Sequence, residues 1–494
     1  MKLRLTGHDY KYAVEQVMLA LFPDQRPDYS PDSGTTGPEG LRAESRLSYG
    51  HTYAQATTIF YRGNKTNRGT ARVTRKKLTG KLVSDRQLQR IIKQSFFRAA
   101  LPFTDSPPVW GSLTGIRPAQ IAAKALKSGK NADSVISSIS RDYYVSPARA
   151  EMCVRAAQTA AALEKTLQPK DIALYIGIPF CPTRCSYCSF VSNSVEHSYD
   201  LTEPFTGTLL REIKDTGDAV SRLGLRVISM YIGGGTPTSI PAEAFETILS
   251  AISKSFDLSH LREYTVEAGR PDTVTEQKLE IISRYGANRI CINPQSMSAD
   301  VLSAIGRLHS PEDIITAADL VDREKMRLNM DIIAGLPGDT PAGFKKTLDA
   351  VLKLKPTSIT VHTLSMKKGS RIKLENTTIP GGADVKQMLD HASERLRGKS
   401  YELYYLYRQK FTSGGFENTG WRLSGNEGIN EGIYNICMME ELCTVLALGG
   451  GGVTKLVSRE GRIERIFNAK FPREYISQTS KREEKLKKIM EFFS

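Results

Sequence analysis

No stretch of the 494-residue sequence approaches the about 18 uninterrupted apolar residues that a membrane-spanning helix needs. The start, MKLRLTGHDYKYAVEQ, has no apolar core before its polar residues, so no secretory leader is read there. A cytoplasmic protein without a membrane span is expected. Cysteine is scarce: seven residues, an odd number in a long chain, exclude a disulfide framework as the organising device. Acids are also in deficit, with 53 Asp and Glu against 68 Lys and Arg, a net charge of +15. That balance fits an anionic partner, either nucleic acid or a small polycarboxylate. Hydrophobic residues at 40%, with 39 Gly and 23 Pro, exclude collagen-like, coiled-coil and wholly disordered chains. At about 150 residues per domain, the length allows two to four domains.

The first region is basic. From Arg62 to Arg90 there are ten Lys or Arg and one acid, Asp85, which reads as an exposed hairpin followed by a helix. The Pro-, Gly- and Ser-rich stretch 29–40 reads as a loop. Helical spacing over Gln120–Lys127 and Ser146–Leu163 marks a small helical region. From Ile172 the rhythm changes to short apolar runs: Ala173–Phe180, Val227–Ile232, Glu263–Val266, Arg289–Asn293, Leu328–Ala334 and Ser358–Leu364. Helical segments such as Glu203–Ala219, Ala242–Ser255, Glu276–Tyr285 and Phe344–Leu354 separate them. Strands alternating with helices predict an α/β fold, a partial (β/α)6 TIM-like barrel with its site at the carboxyl ends of the strands. The expected divisions are 1–100, an α+β region; 101–168, helical; 169–380, the barrel; and 381–494, a C-terminal cap. The cap rests on Glu402–Tyr407, Asn418–Trp421 and Leu446–Lys455. Within it, Gly449–Gly452 can wrap an anion or turn a corner, and the tail from Lys481 reads as a solvated helix.

The unusual residues follow the apolar runs. Cys181, Cys185 and Cys188 follow the first, and Gly233–Gly234–Gly235–Thr236–Pro237–Thr238 closes the second. Glu267 ends the third, Gln295 follows the fourth, Asp331 lies in the fifth and His362 in the sixth. Three cysteines spaced CxxxCxxC place three thiolates on one loop. A [4Fe–4S] cluster takes four ligands, so one iron would stay open to an exogenous one. A zinc site would want a nearby fourth ligand, for which His197 is the only candidate. The other cysteines, 153, 291, 437 and 443, fit buried positions.

CxxxCxxC, followed about 45 residues later by a Gly-rich strand end, resembles the radical S-adenosylmethionine (radical SAM) enzymes. More narrowly, Leu174–Cys181, the GGGTPT run, Asn288–Met297, Ile305–Arg307 and Asn329–Gly338 resemble the oxygen-independent coproporphyrinogen III oxidase family. Val266–Asp272, Tyr434–Leu446 and an extension containing Leu113–Pro118 are most similar to its Gram-positive HemZ branch. The resemblance implies that Cys181, Cys185 and Cys188 hold a [4Fe–4S] cluster. It implies that Gly233, Gly234, Gly235, Thr236, Glu267, Gln295, Arg307 and Asp331 surround one or two S-adenosylmethionine molecules. Tyr175 and Glu267 match residues next to the chemistry. The physics agrees with these types. Carboxylates suit ribose hydroxyls or an ammonium, arginine suits a carboxylate, and glycine lets a backbone approach closely.

The implied activity is dehydrogenation of coproporphyrinogen III: a 5′-deoxyadenosyl radical takes a propionate β-hydrogen, and loss of carbon dioxide and an electron leaves a vinyl. Two rounds give protoporphyrinogen IX. The implied partners are the tetrapyrrole and an electron donor such as flavodoxin or ferredoxin, with no nucleic acid. The sequence departs from the best-known pattern at Phe190 and Gly177, where that pattern has Cys and His. Relatives that carry or insert haem share these changes. The alternative readings are therefore a haem-binding chaperone, with His362 or His309 as candidate axial ligands, or a radical tetrapyrrole methyltransferase.

Overall fold

The computed structural model describes every residue except 31–39, 105, 189–192, 195–198, 367–368, 410–411, 426–431 and 459–460. Most of the expected 29–40 loop, together with Phe190 and His197, therefore lies outside the described residues. The chain forms two compact units, Met1–Val154 with Gly414–Phe416, and Arg155–Ser413 with Glu417–Ser494.

In the first unit, strands β1 (Lys2–Thr6), β2 (Leu41–Tyr49), β3 (Tyr53–Arg62) and β4 (Lys65–Thr74) form one sheet in that order. Period-two burial drives it: Ala54, Ala56, Thr58 and Phe60 point inward, and their neighbours outward. Phe60 is the hub, stacked on Phe22 at 5.4 Å and edge-on to Phe96 at 6.1 Å. The basic segment is β4 with the helix Gly80–Ala100, the hairpin and helix read from its charge, each burying one face in the core.

The second unit is built on parallel strands: β5 (Asp171–Ile178), β8 (Arg226–Gly234), β9 (Glu263–Glu267), β10 (Arg289–Cys291), β11 (Arg327–Ala334) and β12 (Ser358–Thr363). Two-residue strands β6 (Phe180–Cys181) and β7 (Asn193–Ser194) pair with each other. The β5 run is buried at seven of eight positions, as expected of a strand covered on both faces. Helices Thr202–Leu223, Ala242–Ser255, Glu276–Arg284 and Pro341–Lys353 make crossovers. This is the partial (β/α)6 barrel.

The C-terminal strands do not stand apart. Strands β13 (Tyr401–Arg408) and β14 (Glu417–Leu423) extend the barrel sheet beyond β12. Strands β15 (Thr444–Gly449), β16 (Val453–Val457) and β17 (Ile463–Phe467) extend it beyond β5, making eleven strands in one sheet. The expected cap is thus continuous with the barrel. The tail differs too. Helix Thr479–Phe493 buries Lys485, which pairs with Glu212 at 2.5 Å instead of lying in solvent.

Candidate active site

The carboxyl ends of the barrel strands open onto one cavity of about 560 Å³. Tyr175, the three cysteines 181, 185 and 188, Gly234, Gly235, Thr236, Glu267, Gln295, Arg307 and Asp331 all line it. Gly233 lies one residue deeper in β8, paired with Gly177. Residues spread over 156 positions of sequence thus converge because parallel strands end on one rim.

The glycine run serves the chain's own packing. A Cβ on Gly235 would lie 2.2 Å from the Phe180 carbonyl oxygen and 2.9 Å from Cys181 Sγ. The Gly235 and Thr236 amides donate to Ile178 and Phe180 carbonyls at 2.9 and 2.6 Å, and the Thr236 hydroxyl donates to Cys181 Sγ at 3.6 Å. The run therefore clamps the first cysteine. Gly234 and Gly235 also line the cavity, so the close approach expected toward a ligand stands beside this backbone packing.

Gly177 has a similar reason. A Cβ there would meet the Gly450 carbonyl oxygen at 2.5 Å, so docking of β15 leaves no room for a larger side chain. The four amides of Gly449–Gly452 donate to Glu212, Gly177, Ala469 and, at 3.5 Å, Gly449. With every donor engaged inside the protein, this segment turns a corner and cradles no anion.

Arg270 ties down the cysteine loop: buried, it pairs with Asp272 at 2.9 Å and donates to Thr183 Oγ1 at 2.6 Å. The Arg307 guanidinium lies against Cys185 and Tyr187, and donates to the carbonyls of Asn293 at 2.5 Å and Gly269 at 3.3 Å. Two of its nitrogens are thus turned onto backbone oxygens.

The acids form a network across the strands. Glu267 accepts from the Tyr231 hydroxyl and, at 2.9 Å, from Asn293 Nδ2. Asp331 accepts from Asn329 Nδ2 at 2.8 Å, and His362 Nε2 lies 3.2 Å from its other oxygen. Burial, then the nearby Asp331 charge, pushes Glu267 up. Burial would raise Asp331 as well, but the hydrogen bond and charge of His362 outweigh it and hold Asp331 below its ordinary value. Two acids in one cavity are thus shifted in opposite directions.

Gln295 sits at φ +64°, a left-handed conformation costing on the order of 1 kcal/mol or more outside glycine. Its amide bonds to the Asp331 carbonyl at 2.9 Å, and its own carbonyl accepts from Ile333 at 3.0 Å. These bonds fix the side chain on the rim, where Oε1 is buried without a hydrogen-bond partner among the described residues. A buried acceptor without a partner, on a residue that lines a polar cavity, is consistent with a ligand there.

Sequence reasoning missed Tyr231 and gave Tyr434, Met438 and Met439 no role at the site. Tyr231 and Tyr434 stack at 4.6 Å, and Tyr175 stacks on both at 6.4 and 6.0 Å. Tyr434 comes from helix Ile433–Glu440, whose first two amides donate to buried Glu263 at 2.7 and 3.2 Å. Met438 and Met439 of that helix, with Tyr405 and Tyr407 of β13, add an aromatic and thioether wall to the cavity. A bulge between Leu403 and Tyr405 breaks the strand's alternation there. Buried tyrosine two residues before the Gly run was the available signal for Tyr231. Nothing local marks Asn418.

Among the described residues, no three His, Cys, Asp or Glu converge on a single metal-ion position. Three cysteines around one cavity, one beside an arginine, instead suit a polynuclear cluster with one site open. This fold and this donor set define a radical S-adenosylmethionine enzyme. Residues 175–351 match the radical SAM superfamily. The chain is 37% identical over 397 residues to the Bacillus subtilis (strain 168) oxygen-independent coproporphyrinogen-III oxidase-like protein HemZ, covering 79% of this chain and 78% of that one. It is 25% identical over 306 residues to the Escherichia coli (strain K12) heme chaperone HemW, covering 62% and 75%. The solved structure of coproporphyrinogen III oxidase (HemN) from Escherichia coli shares the fold, with a TM-score of 0.50 at 18% identity over 65% and 72% of the two chains. The chain belongs to the coproporphyrinogen III oxidase-like family of radical SAM proteins. Such proteins use a [4Fe–4S] cluster and S-adenosylmethionine, and no helix among the described residues is long and apolar enough to cross a membrane.

His309, 5% exposed, lies beside the cysteine loop. Burial, then the charges of Arg307 and Arg270, lower it to about 4 from 6.5. The folded protein resists its protonation while the unfolded chain does not. Stability is therefore expected to fall as pH drops from about 6.5 toward 4. Thermal melts of His309→Gln should show a flatter pH dependence over that window, and an unchanged slope would remove His309 as its source.

Proposed function

We propose that this protein is a cytoplasmic coproporphyrinogen III dehydrogenase, converting two propionates to vinyls to give protoporphyrinogen IX. When bound, the cluster and S-adenosylmethionine supply a 5′-deoxyadenosyl radical. The chain's part is to hold reactants and exclude water. Cys181, Cys185 and Cys188 hold the cluster, with Thr236, Arg270 and Arg307 fixing their loop. The Gln295 amide oxygen and the Glu267–Asp331 network present acceptors to the hydroxyl and ammonium groups of S-adenosylmethionine. The observation that carries the substrate is the aromatic and thioether wall of the cavity. Tyr405, Tyr407, Tyr434, Met438 and Met439 offer broad, polarisable apolar surface, suited to a macrocycle, in the same cavity as the cysteines. The net charge of +15 suits its four carboxylates. An electron carrier such as flavodoxin or ferredoxin would supply reducing equivalents.

Each round removes one hydrogen atom, one carbon dioxide and one electron, which passes to an acceptor. Two deoxyadenosines and two carbon dioxides are expected per protoporphyrinogen, with a monovinyl tricarboxylate between. Anaerobic turnover of the reconstituted protein with coproporphyrinogen III, S-adenosylmethionine and dithionite checks this count. Stoichiometric haem binding without decarboxylation would favour a carrier like the HemW relatives. Accumulating S-adenosylhomocysteine would mark a methyltransferase.

A further inference from the structure

His362, next to the last residue of β12, lies on the cavity rim, its side chain 26% exposed, and its two ring nitrogens face two oxygens. Nδ1 lies 3.3 Å from Asn418 Oδ1, and Nε2 lies 3.2 Å from Asp331 Oδ2. The Asn418 amide cannot be turned round, because the backbone N–H of Thr363 donates to the same Oδ1 at 2.9 Å. Asn418 Oδ1 is therefore an acceptor, and Nδ1 must carry a proton. In a neutral ring Nε2 would then present a lone pair to the carboxylate. A second proton between His362 and Asp331 removes that clash.

We infer that His362 is an imidazolium at neutral pH and a positioning residue of this site. It holds Asp331 oriented and ionised, and it gives the cavity a positive charge that responds to pH. Asp331 is also fixed by Asn329, itself bonded to Ser358 Oγ at 2.9 Å, so the pair is braced from three strands. The other titratable groups around it are Tyr231 of β8, Glu267 of β9, Cys291 of β10, and Tyr404, Tyr405 and Tyr407 of β13, with Arg289 of β10 lining the same cavity. The thiol and phenols are neutral at pH 7 because burial raises them all. Burial pushes Glu267 up, and Arg289 keeps its charge. The remaining cations on the cavity are arginines, which do not titrate in this range. His362 is thus the cation whose charge can change near neutrality.

Histidine-selective ¹³C NMR of the cluster-loaded, oxidised protein reads this proton directly. The His362 signal, assigned by its loss in His362→Gln, should titrate above 6.5, its ordinary value. In Asp331→Asn the midpoint should fall by about one to three units, the usual effect of an adjacent carboxylate. A wild-type midpoint at or below 6.5, or no fall in Asp331→Asn, overturns the inference. A second readout rests on the tetrapyrrole reading: quenching of coproporphyrin III fluorescence as a function of pH. Affinity for this tetracarboxylate should weaken about fivefold as pH rises through the His362 midpoint, and the His362→Gln protein should lose that step. The same step in His362→Gln would overturn the role in charge. Coproporphyrin failing to bind at any pH would count against the tetrapyrrole substrate alone, the NMR titration still deciding the imidazolium.

Discussion

Replacing Cys181, Cys185 or Cys188 by alanine is expected to abolish the iron–sulfur chromophore, while Cys437→Ala keeps it. The anaerobically purified parent should be brown, with about four irons per chain and a broad band at roughly 400 nm. The contrast follows from position. The first three cysteines line the cavity, and Cys437 is buried in an apolar cluster with Cys443, where its thiol is pushed up. A thiol that resists ionisation, shut away from the cavity, is no ligand for that site. Each loop cysteine has its own support: Thr236 donates to Cys181, Arg307 lies against Cys185, and the Cys188 amide donates to the Cys185 carbonyl at 3.1 Å. Iron analysis and the absorption spectrum decide the matter. Full iron retention in Cys185→Ala would sink the ligand assignment.

The barrel was legible because burial on both faces leaves near-continuous apolar runs. Every predicted strand between 173 and 364 overlaps an observed one, with edges off by a residue or two. The rim residues were legible for the same reason, since a strand's end in sequence is its end in space. Contacts between distant segments were not. Local periodicity gave Leu446–Lys455 no neighbour, yet β15 pairs in parallel with β5 and so explains the glycine at 177. The GGG run closes its strand as read, but its packing reason was not legible, because the backbone atoms that a Cβ on Gly234 or Gly235 would meet belong to Ile178 and Phe180. Arg307 reads as a free fork until Asn293 and Gly269 turn their carbonyls to it. His362 stood in the right strand, but only Asn418, 56 residues away, reveals its proton.

Lys485→Met is expected to be among the most destabilising single changes in the second unit. In KREEKLKKIM, Lys485 is one lysine among four and reads as solvated. In the fold it is 3% exposed and donates to Glu212 at 2.5 Å, the Ala447 carbonyl at 2.8 Å and Asn468 Oδ1 at 3.1 Å. Glu212 is equally buried, and it also accepts from Tyr475 at 2.5 Å and from the Gly449 amide at 2.8 Å. Burial alone would push its carboxyl up. The Lys485 charge and these hydrogen bonds outweigh that and hold it low. Removing the lysine leaves a buried carboxylate uncompensated, a loss of about 3–5 kcal/mol. Removing both charges in Glu212→Gln/Lys485→Met should cost much less, because no unpaired charge remains. The same carboxylate holds Gly449, two residues before the cavity-lining Gly451, so the single variant should also lose cluster on mild heating. Denaturant melts of the parent, both single variants and the double variant give the coupling. If the double variant melts no later than Lys485→Met, the buried pair is not what ties the C-terminal helix to the barrel.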